Sequence, residues 1–184
     1  MKEILLSLAR ASIKSCFTQG SMDTSSVQEE FPSLSEEGAS FVTLTQDGQL
    51  RGCIGSIIAH RSLLEDVISN AQSAAFKDPR FKPLEEDELS RTRIEVSVLT
   101  PPKILEYTDI DDLRVKIKVG IDGVILKDGY HQATFLPQVW EELNDFDIFF
   151  SHLCHKAGLG MRCLESHPEI SVYQVQKVEE DEIL

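Results

Sequence analysis

Phe41-Val42-Thr43-Leu44-Thr45-Gln46-Asp47-Gly48-Gln49-Leu50-Arg51-Gly52-Cys53-Ile54-Gly55-Ser56 is the stretch on which the fold reading turns. Asp47-Gly48 is the dipeptide that best tolerates the positive φ of a type I′ turn, and the β-branched and apolar runs on either side read as strands. The stretch is therefore a β-hairpin. A two-residue turn pairs Gln46 with Gln49, Thr45 with Leu50, Leu44 with Arg51 and Val42 with Cys53, which sets Arg51 and Cys53 on one face. Glycine is costly inside a strand, so Gly52 and Gly55 around Cys53 predict a bulge or the close approach of another group to the backbone. A thiol so placed, with a guanidinium on its own face, is a candidate nucleophile. The plainer reading makes Cys53 a small apolar filler.

Outward from the hairpin, the 184 residues suffice for one substantial core or for two small interleaved lobes sharing an interface. Hydrophobic content of 41% with 27% charged residues is that of a globular chain. A net charge of −13 opposes nucleic acid and anionic membrane surfaces as partners. The apolar run at the N-terminus is too short for a signal peptide and no segment reaches the length of a membrane span, so the expectation is a cytoplasmic protein. Cys16, Cys53, Cys154 and Cys163 are few and irregularly spaced, a pattern that suits reduced thiols.

Along the chain, Ile4, Leu5, Leu8, Ala11, Ser12 and Ser15 mark one face of an N-terminal helix. Residues 20–38, rich in Ser, Asp and Glu, read as a surface connection. Ser62 with Glu65 forms a capping box that opens a helix ending near Phe76, and Asn70 falls on or beside its apolar stripe, tying down a loop or facing a cleft. Asp78-Pro79-Arg80 belongs to a firm irregular loop, where Asp78 and Arg80 pair with each other or present charge to a ligand. Glu85 to Leu89 reads as one helical turn. Arg93 to Thr100 alternates as a strand with Glu95, Ser97 and Leu99 on one face. Asp109 opens a short helix, and Lys116 to Ile121 reads as extended. Gly123 to Leu136 repeats the hairpin signature at Asp128-Gly129, which predicts two small sheets or one mixed sheet. Pro137 opens a helix with Trp140, Asp145 caps another that stops at Gly158, and Ser171 to Val178 reads as one final strand. Residues 179–184 read as a frayed acidic tail.

His152, Cys154, His155, Cys163 and His167 lack the Cys-x2-Cys spacing of a structural zinc site, so no metal site is assigned. No phosphate-binding loop, dinucleotide fingerprint, metalloprotease motif or nucleophile-elbow motif is present, and no cofactor is named.

Leu50-Arg51-Gly52-Cys53-Ile54-Gly55, Asn70-Ala71, Asp78-Pro79-Arg80-Phe81, Ile94 to Pro102, Gly120-Ile121-Asp122-Gly123, Thr134 to Trp140 and Lys156-Ala157-Gly158-Leu159 together resemble the AMMECR family, also called AmmeMemoRadiSam system protein A. The resemblance runs from Gly38 to the last strand, with His155 a departure where an apolar or small residue is expected. It implies a single AMMECR-type domain over 1–184 with an α+β fold, antiparallel sheets and packed helices forming two unequal lobes around a cleft. It also implies a pathway shared with a Memo-like protein and a radical S-adenosylmethionine (SAM) enzyme. The leading expectation is a thiol-dependent enzyme acting on a small molecule or modified protein. In it Cys53 is the nucleophile, Glu95 or His131 the base, and Arg51, Asn70, Asp78 and Arg80 line the ligand site. The rival is a binding or scaffold module that uses the Leu50-to-Gly55 hairpin as a partner pocket.

Overall fold

Helix α1 (Lys2–Thr18) buries Leu5, Leu8, Ala9, Ser12 and Ile13, a stripe at helical spacing centred on its bulky aliphatics. Ala11, expected on that face, is exposed, because Leu8 and Ile13 rotate the stripe away from it. The structure is a computed structural model that describes residues 2–18, 20 and 22–180.

The stretch read as a surface connection folds into α2 (Ser25–Glu30) and a 3₁₀ turn at Pro32–Ser35, with most of its described residues exposed. Leu34 is fully buried there, and Val27 and Phe31 lean on the same core, so these apolar side chains outweigh the polar composition. The hairpin follows as β1 (Ala39–Gln46) and β2 (Gln49–Gly55), with Asp47 and Gly48 both at positive φ. Helix α3 (Leu63–Phe76) opens with the capping box of Ser62 and Glu65 and buries Leu64, Val67, Ala71, Ala74 and Ala75. A 3₁₀ turn at Glu86–Arg91 leads into β3 (Arg93–Leu99).

Beyond β3 come β4 (Lys103–Ile104), α4 (Ile110–Lys116), β5 (Gly123–Asp128), β6 (His131–Phe135), α5 (Val139–Glu142) and α6 (Phe146–Lys156). Asp109 and Asp145 cap α4 and α6 by accepting backbone N–H groups, and Gly158, at φ +76°, follows the end of α6. Lys116 to Ile121 is not extended as expected: α4 runs to Lys116, and a turn follows in which Ile121 and Asp122 donate to the Lys118 carbonyl. A 3₁₀ turn at Cys163–Ser166 precedes β7 (Glu169–Tyr173) and β8 (Val175–Glu179).

The single last strand read from the sequence is two strands that break at Gln174 and enter different sheets. One sheet has the order β2-β1-β3-β8 and the other β4-β7-β5-β6, and every pairing with a described register is antiparallel. Each Asp-Gly hairpin thus lies in its own sheet, and the fold is α+β. Two compact units result: Met1–Leu99 with Gln176–Leu184, and Thr100–Val175.

In the first unit, Val42, Leu44, Ile94 and Val96 face α1 and α3 across a continuous apolar layer. Burial of each such side chain contributes about 1.5–3 kcal/mol. In the second unit, Phe149 stacks on Trp140 at 3.5 Å, and Leu113, Leu126, Leu153 and Ile170 close the core around them.

Two further expectations change. Cys154 and Cys163 are joined by a disulfide, because the turn after α6 brings Cys163 back onto the last turn of that helix; Cys16 and Cys53 are the free thiols. The supposedly frayed tail holds its first two residues firmly: Glu179 ends β8, and Glu180 accepts from Arg10 while its backbone N–H donates to the Ile94 carbonyl. Residues 181–184 lie outside the described residues.

Candidate functional site

The hairpin register carries the site. Gln46 pairs with Gln49 and Thr45 with Leu50 as expected, but Leu44 then faces Gly52, so Arg51 is the extra residue of a β-bulge. Every later pair moves by one. Cys53 faces Thr43 rather than Val42, and Thr43 in turn faces Glu95 on β3.

The glycines explain the slip. A Cβ on Gly52 would sit 2.2 Å from the Ala74 carbonyl oxygen of α3, and one on Gly55 would sit 2.2 Å from the Phe41 ring. Close approach of other groups, the second of the two expectations for these positions, therefore accompanies the bulge.

Arg51 does not address the thiol. Its guanidinium forks onto Glu88, with Nε at 3.1 Å and Nη2 at 2.9 Å, and also donates to the Lys82 and Pro83 carbonyls. This pair holds the Glu88 carboxyl down to about 2 against an ordinary 4.5. Arg51 thus clamps the 82–88 segment. Asn70 is likewise consumed: its amide donates to the Ser40 carbonyl at 3.0 Å and to Asp66 at 2.9 Å. Asp66, fully buried, also accepts from Ser40, Ser56 and Arg61. Of the two roles read for Asn70, these bonds make the structural tie, between α3, β1 and the turn after β2.

Asp78 and Arg80 do reach Cys53. The Cys53 N–H donates to Asp78 Oδ2 at 2.9 Å, and Arg80 Nη2 donates to the Cys53 carbonyl at 3.3 Å. Asp78 is buried and bound by Arg80 through Oδ1 at 3.0 Å and Oδ2 at 2.7 Å, while the Arg80 side chain is 54% exposed. Arg80 holds the Asp78 carboxyl far below the usual carboxylate range, and Asp78 raises the Arg80 guanidinium. The loop therefore caps the outer edge of β2 at the cysteine, supplying the partners an edge strand lacks. The cation beside Cys53 is Arg80, where the hairpin pattern pointed to Arg51.

Cys53 is half-buried, and its sulfur accepts from Thr43 Oγ1 at 3.4 Å. Thr43, Cys53, Glu95 and Ser97 are all half-buried, on the opposite face of the sheet from Val42 and Val96. Glu95 accepts from Ser97 at 3.4 Å and pairs with Lys177 of β8 at 2.6 Å. Two strand spacings, about 9–10 Å, separate the Glu95 backbone from that of Cys53, with Thr43 between them. His131 belongs to the second unit, where Nδ1 lies 3.0 Å from the Ala157 carbonyl. Thr43 and Lys177 were not among the candidates read from the sequence; Thr43 became a partner through a bulge that only the α3 contact explains.

Among the described residues no group of three or more His, Cys, Asp and Glu is placed to hold a metal ion, and Cys154 and Cys163 are spent on each other. No helix among the described residues is long and apolar enough to cross a membrane.

Fold and site define an α+β protein whose first sheet presents a free thiol from a bulged, edge-capped hairpin. Comparison with known proteins narrows the class. The AMMECR1 family pattern matches residues 6–178, and the chain belongs to that family. It is similar to Protein SSO0193 of Saccharolobus solfataricus, 42% identical over 166 residues that cover 87% of this chain and 72% of that protein. A protein of Methanosarcina mazei is 39% identical over 180 residues, covering 95% of this chain and 89% of its own length. Among solved structures, the crystal structure of the uncharacterised protein PH0010 from Pyrococcus horikoshii has the same fold, with a TM-score of 0.81 and 35% identity over 98% of this chain and 91% of that one.

Proposed function

We propose that the protein is a cysteine-dependent enzyme of the cytoplasm that acts on a small molecule or modified protein bearing an anionic group. The observation that carries this reading is the fixed setting of Cys53: both backbone groups are held by Asp78 and Arg80, and the sulfur accepts from Thr43. Of the Arg80 guanidinium, Nε and Nη2 serve Asp78 and Cys53, and the half-exposed group keeps Nη1 for a substrate carboxylate or phosphate. In the step envisaged, the Cys53 sulfur bonds to the carbon of a substrate C=O group as its proton passes to a base, and the π pair of that group moves onto its oxygen. Glu95, on the same sheet face, fills the role of base. The AMMECR resemblance supports placing the reaction in a pathway with a Memo-like protein and a radical SAM enzyme.

A second reading has its own support. Arg51, Asn70 and Asp78 spend their polar groups on internal bonds, as expected of a scaffold whose hairpin shapes a partner pocket. Iodoacetate and iodoacetamide, which differ in charge, separate the two. The enzyme reading expects Cys53 to react in the folded chain, and expects Arg80→Gln to slow iodoacetate more than iodoacetamide. A thiol inert to both reagents until the chain unfolds favours the scaffold.

A further inference from the structure

The second unit carries a cavity of about 450 Å³ that the site described above does not use. Its lining is chiefly apolar, from Ile110 at the start of α4, Ile148 and Phe150 of α6, and Met161 and Leu164 of the segment after α6. Ile148 and Met161 are half or more exposed, so the cavity opens to the outside. The rim charges are already satisfied: Asp147 pairs with Arg114 at 2.7 Å, and Glu165 pairs with Arg162. A charged ligand finds no unmatched partner there, whereas an uncharged apolar one loses nothing at the rim. The volume falls within the range of small-molecule sites, about 300–1,000 Å³.

One wall of this cavity is tethered by the disulfide. Met161, Arg162, Leu164 and Glu165 flank Cys163, whose sulfur is bonded to Cys154 in the last turn of α6. On its far side the segment has further anchors: Ser166 donates to Asp128, and His167 stacks on Tyr107. On its near side, Gly158 at φ +76° and Gly160, with open space about it, lead into Met161. Cys154 is fully buried and Cys163, buried at 8% exposure, is the less enclosed of the two, so attack is easier at Cys163.

We infer that the cavity is a binding site for a small uncharged apolar molecule, and that the Cys154–Cys163 disulfide holds its wall in the binding position. A dithiol reductant opens the switch. Its thiolate attacks the Cys163 sulfur, the bond to Cys154 breaks, and the reductant closes to its own disulfide as both cysteines become thiols. Gly158 and Leu159 keep their hydrogen bonds to the His155 and Cys154 carbonyls, but the Gly160-to-Arg162 stretch beyond them loses its tether at Cys163, and the wall contributed by Met161 is lost. An oxidised dithiol reverses the exchange.

The test titrates the full chain with N-phenyl-1-naphthylamine, an uncharged apolar fluorophore, before and after dithiothreitol treatment. Peptide mass spectrometry reports the bond, and Trp140 emission reports the surrounding core. The unreduced chain is expected to bind one equivalent of probe. Reduction should weaken binding by about tenfold or more with Trp140 emission unchanged, and reoxidation should restore it. Ile148→Glu should abolish binding with the disulfide intact. The inference is overturned if the unreduced chain shows no saturable binding, if both redox states bind equally, or if Ile148→Glu binds as tightly. Collapse of the Trp140 core on reduction also overturns it, since the bond would then staple the fold and not set a wall.

Discussion

The two Asp-Gly hairpins start from the same local signal and end as different objects. In β5–β6 the register runs unbroken from Asp128–His131 to Val124–Phe135, and the turn is Gly129-Tyr130, one residue later than the sequence suggests. In β1–β2 the turn is Asp47-Gly48 as read, but the ladder slips at Arg51. Turn chemistry fixes that a hairpin forms. The element packed against it decides whether the register stays regular: the glycine of β5, Gly123, is pressed by the Tyr173 ring of β7 just outside the β5–β6 ladder, whereas the Ala74 carbonyl of a helix presses on Gly52 within the ladder of β1–β2.

Alanine substitution breaks this comparison most sharply. Gly52→Ala drives a methyl into a helix backbone that cannot yield, and it should cost about 3 kcal/mol in denaturant unfolding. Gly129→Ala meets open space and pays only for positive φ, about 1 kcal/mol. Equal costs would mean that the bulge is not set by α3. Between these, Cys163→Ser, which opens a loop of nine-residue separation, should destabilise the second unit by about 2.5 kcal/mol and leave Cys53 alkylation unchanged. Asp78→Ala strips the Cys53 N–H of its partner and should cost about 2 kcal/mol.

Acid sharpens the picture of Arg51. The Glu88 carboxyl is held near 2 in the folded chain against 4.5 when free, so its contribution is complete above pH 4.5 and is lost as pH falls toward 2. Glu88→Gln should flatten the loss of stability across that window, measured by thermal unfolding at a series of pH values. An unchanged slope would remove Arg51 from its clamping role. Thr43→Val is the smallest change: stability should shift by no more than about 0.5 kcal/mol, while alkylation of Cys53 slows about fivefold for a hydrogen bond of about 1 kcal/mol.

What could be read from the sequence was local. The I′ turn at Asp47-Gly48, the Ser62–Glu65 box, the caps Asp109 and Asp145 and the alternation of Ile94 to Val98 each act within a few residues. What escaped was set at a distance. The slip at Arg51 needs α3, the break at Gln174 needs two sheets, and the Cys154–Cys163 bond needs a turn that doubles back. Within the site, the presence of a cation beside Cys53 was readable but its identity was not. A period-2 pattern put Arg51 there, and the bulge turned Arg51 to Glu88 and left the place to Arg80.

The central claim is that Cys53 stands reactive on a fixed platform, unlike the paired cysteines of the second unit. Its most direct test is iodoacetamide labelling of the folded, unreduced chain, read by peptide mass spectrometry. The account predicts alkylated Cys53 beside an intact Cys154–Cys163 pair, with slower labelling in Arg80→Gln. A Cys53 that stays unmodified until denaturant is added would contradict it.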